Sequence, residues 1–500
     1  MKPRQCTLIR LLLVCIFGIA NINNSSSALA QVVDISWSTP SRIPGFTDSG
    51  LDPILIKDSE GTIHLFNSQN VAGNQSISYI RWTLKDGWSA LVDIITAPLG
   101  GARIFGVHLD QQGWMHLIFF GGDGLDNNIF YTKAPVQNVS KSTAWSKPLI
   151  IGEAAISPAS VATVGDGQGF LMVVYSGNIN GNGLYTVQSQ DGGRTWSSPR
   201  PMFVTYSQNL WPFALKLLID EEKTVFAVWS VHNDVGFGKS INFSRYSQSD
   251  LLWTHPVIIA DAIDNYHTST PSIIKYHDEV FLIFHNDQPT THWMSRSSDN
   301  GETWSQPIRL FHQVGGNGPV SMVIDSNDTL HMLFGNRVDE TGTHGVWHSM
   351  WFDGRWKVPE PMVSGPQIPI GPNDEEGFDP SFIQAVVSRG NLLFVIWRHD
   401  PVAGPTSIWY SYRILDAPEY PSIPLQKPVI IESTPADLVN ETDVATTPSP
   451  SIISTQPISP SSAAVESRTP ANNPNFGIFL GISAVGILLL VVSIIRKQLK

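Results

Sequence analysis

The chain has 500 residues, 42% hydrophobic and only 15% charged, with 40 glycines, 35 prolines and 16 tryptophans. That composition supplies a large core and excludes a disordered chain, a coiled coil or a helical bundle; it favours short strands joined by turns. With 43 acidic residues against 31 basic ones, the net charge of −12 excludes a nucleic-acid partner, which needs a basic face.

Residues 1–30 read as a secretory signal. Lys2, Arg4 and Arg10 give the positive start, residues 11–20 an apolar run, and Ala28-Leu29-Ala30 a small-x-small cleavage pattern. The two cysteines, Cys6 and Cys15, both lie in this leader. The mature chain from Gln31 then has no thiol for a disulfide, a zinc site or a nucleophile, and no metal or cofactor is expected.

A repeat fills residues 31–416. Trp37, Trp88, Trp145, Trp196, Trp253, Trp304 and Trp356 each open a phrase of the Trp-Ser-x-Pro kind, 51 to 57 residues apart. Between successive tryptophans lie three apolar runs rich in Val, Ile and Phe and bounded by turn residues. The first is often opened by an x-Pro step such as Asp52-Pro53. Four short strands per unit, repeated radially, predict an all-β fold, a β-propeller of seven four-stranded blades. The repeat starts on a fourth strand at Trp37 and ends on a third strand at residues 408–412. The N-terminal strand is therefore expected to complete the last blade and remove the open edge.

Residues 417–475 are rich in Pro, Ser and Thr and read as a stalk. Residues 476–495 carry no charge and match one membrane-spanning helix; Arg496, Lys497 and Lys500 follow. The expectation is a single-pass cell-membrane protein with a short cytoplasmic tail, 496–500, and an extracellular propeller.

Two turns are sharper than the rest. Ser189, Asp191, Gly193, Thr195 and Trp196, and again Ser297, Asp299, Gly301, Thr303 and Trp304, fit Ser-x-Asp-x-Gly-x-Thr-Trp. This pattern resembles the Asp box, or BNR repeat, of the sialidase superfamily of propellers. The resemblance implies a structural role: Asp accepts from amides of its own turn, Gly takes a positive φ, and the box lies opposite the active face. Sialidases proper have six blades, and their first arginine sits in a phrase to which Ser41-Arg42-Ile43-Pro44 is similar. Here that phrase falls in the Trp37 fourth strand, which removes Arg42 from the inner-strand position.

If inner strands start at one face, the loops after second strands share it, and that face is the expected mouth. Ligand-binding candidates there are Asp52, Arg103, Trp211, His285, Arg337, Arg398 and His399, with His232 and His267 beside them. Trp211, Trp229 and Trp397 are candidate sugar platforms, alongside a core reading of the same rings. Asp287, Asp379 and Asp400 are the candidate catalytic carboxylates for a two-carboxylate glycosidase. The resemblance implies a glycan or glycoconjugate partner and a glycoside hydrolase of the exo-sialidase kind. The same mouth also suits a non-catalytic adhesin or receptor for glycan or protein.

Overall fold

The computed structural model describes residues 32–33, 36–46, 51–71, 74–96, 101–121, 127–154, 160–261, 267–287, 290–311, 317–338, 343–366, 380–399 and 407–428. The leader at 1–30, the stalk from 429 and the span at 476–495 lie outside the described residues. The described strands form seven antiparallel sheets. Their inner strands, blades one to seven in chain order, are Leu51–Lys57, Ala102–Leu109, Val161–Gly165, Leu210–Ile219, Thr268–Tyr276, Asn317–Ile324 and Pro380–Ser388. Each inner strand packs beside the next, and the seventh packs beside the first, so the ring closes. Closure is the one expected: Ser41–Arg42 pairs with Ser407–Ile414 as the outer strand of blade seven. Val32–Val33 adds a further edge strand to blade six, against Glu360–Pro366.

The middle of each second strand is mainly apolar because it is covered on both faces by neighbouring blades, while the mouth ends of several carry polar residues. Leu171–Gly177 is buried at all seven positions, where a half-exposed strand would alternate. The core is accordingly divided into seven apolar clusters, one per seam between blades.

The repeating tryptophans are the wedges of those seams. Each packs on, or bonds to, the blade before its own. Trp196 meets Tyr131 at 5.1 Å between ring centroids, Trp304 meets Phe243 at 5.0 Å, Trp88 meets Tyr410 at 5.2 Å, Trp145 meets Phe66 at 6.5 Å and Trp37 meets His348 at 5.6 Å. Trp253 Nε1 donates to Thr186 Oγ1 at 3.0 Å, and Trp356 Nε1 lies 3.3 Å from Met294 Sδ.

The two sharp turns close as their sequence suggests. Asp191 Oδ1 accepts from the amides of Arg194 and Thr195 at 3.0 and 2.9 Å, and Ser189 Oγ accepts from Gly193 N at 2.9 Å. Asp299 repeats the pattern with Thr303; the Thr303 hydroxyl foremost holds its carboxyl down at about 2. Each box is also received by the preceding blade. Lys133 Nζ donates to Gly192 O at 2.7 Å, and Arg245 Nη1 donates to Asn300 O at 3.1 Å.

Residues 417–428, counted with the stalk by composition, lie on the propeller. They run along the face of the boxes, past the first-to-second-strand turns of blades six, seven, one and two. Asn327 Nδ2 donates to Asp416 O at 2.6 Å, Tyr420 N to Arg389 O at 2.8 Å, Ile423 N to Ser59 O at 3.0 Å and Gln137 Nε2 to Gln426 O at 3.0 Å.

Candidate functional site

Inner-strand starts pair with second-strand ends, and second-strand ends pair with third-strand starts. Examples are Trp211 with His232, Ser269 with His285, His285 with His292, and Ser381 with Arg398. These positions therefore share one face, the mouth. The boxes and the first-to-second-strand turns share the other.

The inner strands are irregular at their mouth ends. Register shifts occur between Leu51 and Ile54, Ile104 and Gly106, Phe213 and Lys216, Ser269 and Ser272, Asn317 and Ser321, and Ser381 and Gln384. Such bulges bend a strand and re-aim its side chains. They also free amides from the ladder, which the preceding blade satisfies. Ile104 N donates to Ser68 Oγ at 2.8 Å, Leu215 N to Ser160 Oγ at 3.2 Å, Ala385 N to Ser321 Oγ at 2.9 Å and Leu55 N to Gln384 Oε1 at 3.1 Å. Within the bulges Ala214, Thr270 and Phe382 hold left-handed backbone at φ 51°, 49° and 51°. For a β-branched Thr and a bulky Phe this is strained geometry, of the sort retained at ligand sites.

Two arginines are fixed by these features. Arg398, 8% exposed, places its guanidinium 4.1 Å from the centroid of the Phe382 ring, and Arg103 lies 5.0 Å from that of Phe105. They belong to blades seven and two, on either side of blade one. Between them, Asn67 of blade one is fully buried, and neither amide atom has a protein hydrogen-bond partner.

Blades four and five supply a histidine cluster. His232 meets His267 at 5.2 Å, His267 meets His285 at 6.4 Å and His285 meets His292 at 6.1 Å between ring centroids. Gly238 N donates to His267 Nδ1 at 2.7 Å, so the proton of the neutral ring sits on Nε2, 2.7 Å from Ser269 Oγ. Burial foremost, then the adjacent ring, pushes His232 and His292 down to about 3; burial likewise lowers His108, of blade two, to about 4. These rings are neutral at pH 7. The unfolded chain, with ordinary histidines near 6.5, binds more protons below that value. Their contribution to stability is therefore complete above pH 6.5 and is lost as pH falls towards 3. Melting temperatures measured from pH 7 downward should begin to fall near 6.5, well before the carboxylates titrate. A flat profile to pH 5 would refute the neutral burial of these rings.

The sequence candidates fall as follows. Arg103, Trp211, His285, Arg398 and His399 all stand at mouth ends of strands, Trp211 and His399 half-buried. The backbones of Asp52, Asp287 and Arg337 lie in the same ring of strand ends; their side chains are outside the described set. Asp379 and Asp400 lie outside the described residues. Trp229 and Trp397 are fully buried in seams between blades, which removes them as sugar platforms. Arg42 sits in the outer strand of blade seven, paired with Trp409.

Composition and spacing did not single out Phe105, His292 or Phe382. Nor did they find three buried relays on the far face. Asp58 Oδ2 lies 3.1 Å from His64 Nε2, whose Nδ1 lies 2.8 Å from Tyr79 Oη. Asp110, His116 and Tyr131 repeat this at 3.0 and 2.8 Å, and Asp325, His331 and His348 at 3.2 and 2.9 Å. The Asp-x5-His spacing was the available signal. Each Asp also accepts from amides of its own turn, so the relays serve structure.

No family model matches the chain, and no curated protein matches it in sequence. Solved structures do. An ulvan lyase from a new polysaccharide lyase family matches with a TM-score of 0.54 and 11% identity, over 75% of this chain and 96% of that one. The NanB sialidase of Streptococcus pneumoniae matches with a TM-score of 0.44 and 10% identity, over 76% and 71%. A leech intramolecular trans-sialidase matches at 0.42 and 10%, over 73% and 68%. At such identities the likeness is one of fold: the chain is a seven-bladed β-propeller, similar in fold to the ulvan lyase.

Proposed function

We propose that this protein is a glycan-acting propeller displayed outside the cell, and that its mouth recognises an acidic sugar unit. The observation that carries the reading is the pair of arginines, Arg103 and Arg398, each held on a phenylalanine ring beside blade one. A planar guanidinium with restricted motion suits bidentate contact with a carboxylate. The overall charge of −12 repels an anion, so recognition must be local to these groups. Hydrolysis by the two-carboxylate route of glycosidases would fall to a pair among Asp287, Asp379 and Asp400, with one carboxyl protonated. Anchoring rests on the sequence alone, on the uncharged 476–495 followed by Arg496 and Lys497.

The non-catalytic reading draws on the same geometry. His232, deeply buried at the mouth, has Ser230 Oγ at 3.0 Å and lacks exposure for proton transfer.

A glycan array and fluorogenic glycosides, with wild type, Arg398→Ala and an Asp287→Ala, Asp400→Ala double variant, test both. Binding to acidic glycans should weaken in Arg398→Ala by about tenfold or more. Turnover lost in the double variant identifies a hydrolase. Binding without turnover identifies the adhesin or receptor. Silence of wild type in both assays overturns the glycan reading.

A further inference from the structure

Tyr206 is 92% exposed, with left-handed backbone at φ 52°. It lies in the connection from blade three to blade four, on the mouth face. A surface tyrosine with rotational freedom would mean little, but the backbone of this turn is fixed. Asn182 Nδ2 donates to the carbonyls of Ser207, Gln208 and Leu210 at 3.2, 3.2 and 3.4 Å, and Thr205 N donates to Asn182 O at 2.9 Å. Thr205 Oγ1 donates to Ser207 O at 2.9 Å. The turn thus spends several bonds holding an unfavourable backbone that carries an aromatic ring into solvent.

Two neighbouring loops are held in the same way. In the 178–182 loop, Asn180 N donates to Tyr185 Oη at 2.7 Å, and Tyr185 Oη donates to Gly181 O at 2.8 Å. In the 233–237 turn, Phe237 N donates to Asn233 Oδ1 at 2.8 Å. Leu210, which ends the Tyr206 turn, is the strand partner of Asn233, which starts the next. The three loops are therefore contiguous. Their tips expose Ile179 at 51%, Tyr206 and Val235 at 65%, edged by the exposed amides of Asn180, Gln208 and Asn209. None of the three loops contains Lys or Arg, and Asp234 is the one acid among them.

We infer that these loops form an outer sugar subsite, with Tyr206 as its platform, that takes the neutral residues of a glycan chain running out of the mouth across blades three and four. An aromatic face and apolar neighbours cover the C–H face of a pyranose, while side-chain amides serve its hydroxyls. The absence of cations in these loops separates this subsite from the arginines across the mouth, which suit the acidic unit. The substrate class is a chain in which an acidic sugar is joined to neutral ones. This rests on the glycan reading proposed above.

The test measures binding of the full-length protein to a free acidic sugar, N-acetylneuraminate or glucuronate, and to acidic oligosaccharides with increasing numbers of neutral residues. Tyr206→Ala should weaken the longer ligands by about three- to tenfold and leave the free sugar unchanged. Tyr206→Trp should restore the longer ligands. Tyr206→Gly, which relieves the left-handed backbone, should lose the same binding while its melting temperature stays at or above wild type. Equal loss at every length, or no loss on the longest ligand, overturns the subsite and leaves the mouth reading standing. Silence of wild type on every ligand overturns both.

Discussion

Gly193→Ala and Gly301→Ala each destabilise the propeller by about 3 kcal/mol or more, whereas Gly192→Ala costs about 1 kcal/mol. All three glycines have positive φ, at 80°, 87° and 67°. A methyl group at 193 would enter the phenol ring of Tyr131, and one at 301 the ring of Phe243; at 192 it would meet nothing within 4 Å. Tyr131 and Phe243 belong to the preceding blades and also face the wedges Trp196 and Trp304. Neither ring can retreat without opening its seam. Thermal melts of the three variants separate the backbone term, common to all, from the packing term, present in two. Equal shifts for 192 and 193 would refute the box as a joint between blades.

What the sequence discloses follows from what a repeat can encode. Trp37 to Trp356 mark the period because every seam needs one wedge, and the phase at Trp37 fixes how the ring closes. Ser189 and Asp191 are legible because their bonds stay within one turn. The mouth is legible only in outline. Arg103, His285 and Arg398 occupy recurring strand ends, so alternation of apolar and polar runs finds them. Phe382 under Arg398 depends on a bulge at Ser381–Gln384, and no residue type announces a bulge that a neighbouring blade stabilises. Of the histidine cluster, His232, His267 and His285 are legible as mouth residues, whereas His292 and the ring contacts follow from how blades four and five pack. Trp229 and Trp397 show the opposite failure. Their place near strand ends suggests display, while burial on both faces of a second strand makes them core.

Truncation after Ala417 lowers the melting temperature by about 4 °C relative to truncation after Pro428. Composition alone would end the folded domain at the earlier point, because Pro and Ser begin to dominate there. The structure continues the domain to Pro428. The segment crosses the seam between blades seven and one, where the ring is closed by the short strand Ser41–Arg42. On blade seven, Tyr420 and Arg389 exchange two bonds, at 2.8 and 3.0 Å, and Arg389 pairs with Glu419 at 2.9 Å. On blade one, Ser59 and Ile423 exchange two more, at 3.0 and 2.8 Å, while Leu425 N donates to Glu60 Oε1 at 3.1 Å. Leu425 packs on the cluster between blades one and two. Removing these contacts costs about 3 kcal/mol if each net bond contributes at the low end of its range. The strap lies on the face opposite Arg398 and Tyr206, so the shorter protein should bind glycan unchanged at temperatures where it is folded. Equal melting temperatures for the two truncations would show that the strap rests on the ring without holding it. Weakened binding in the folded shorter protein would show that seam and mouth are coupled.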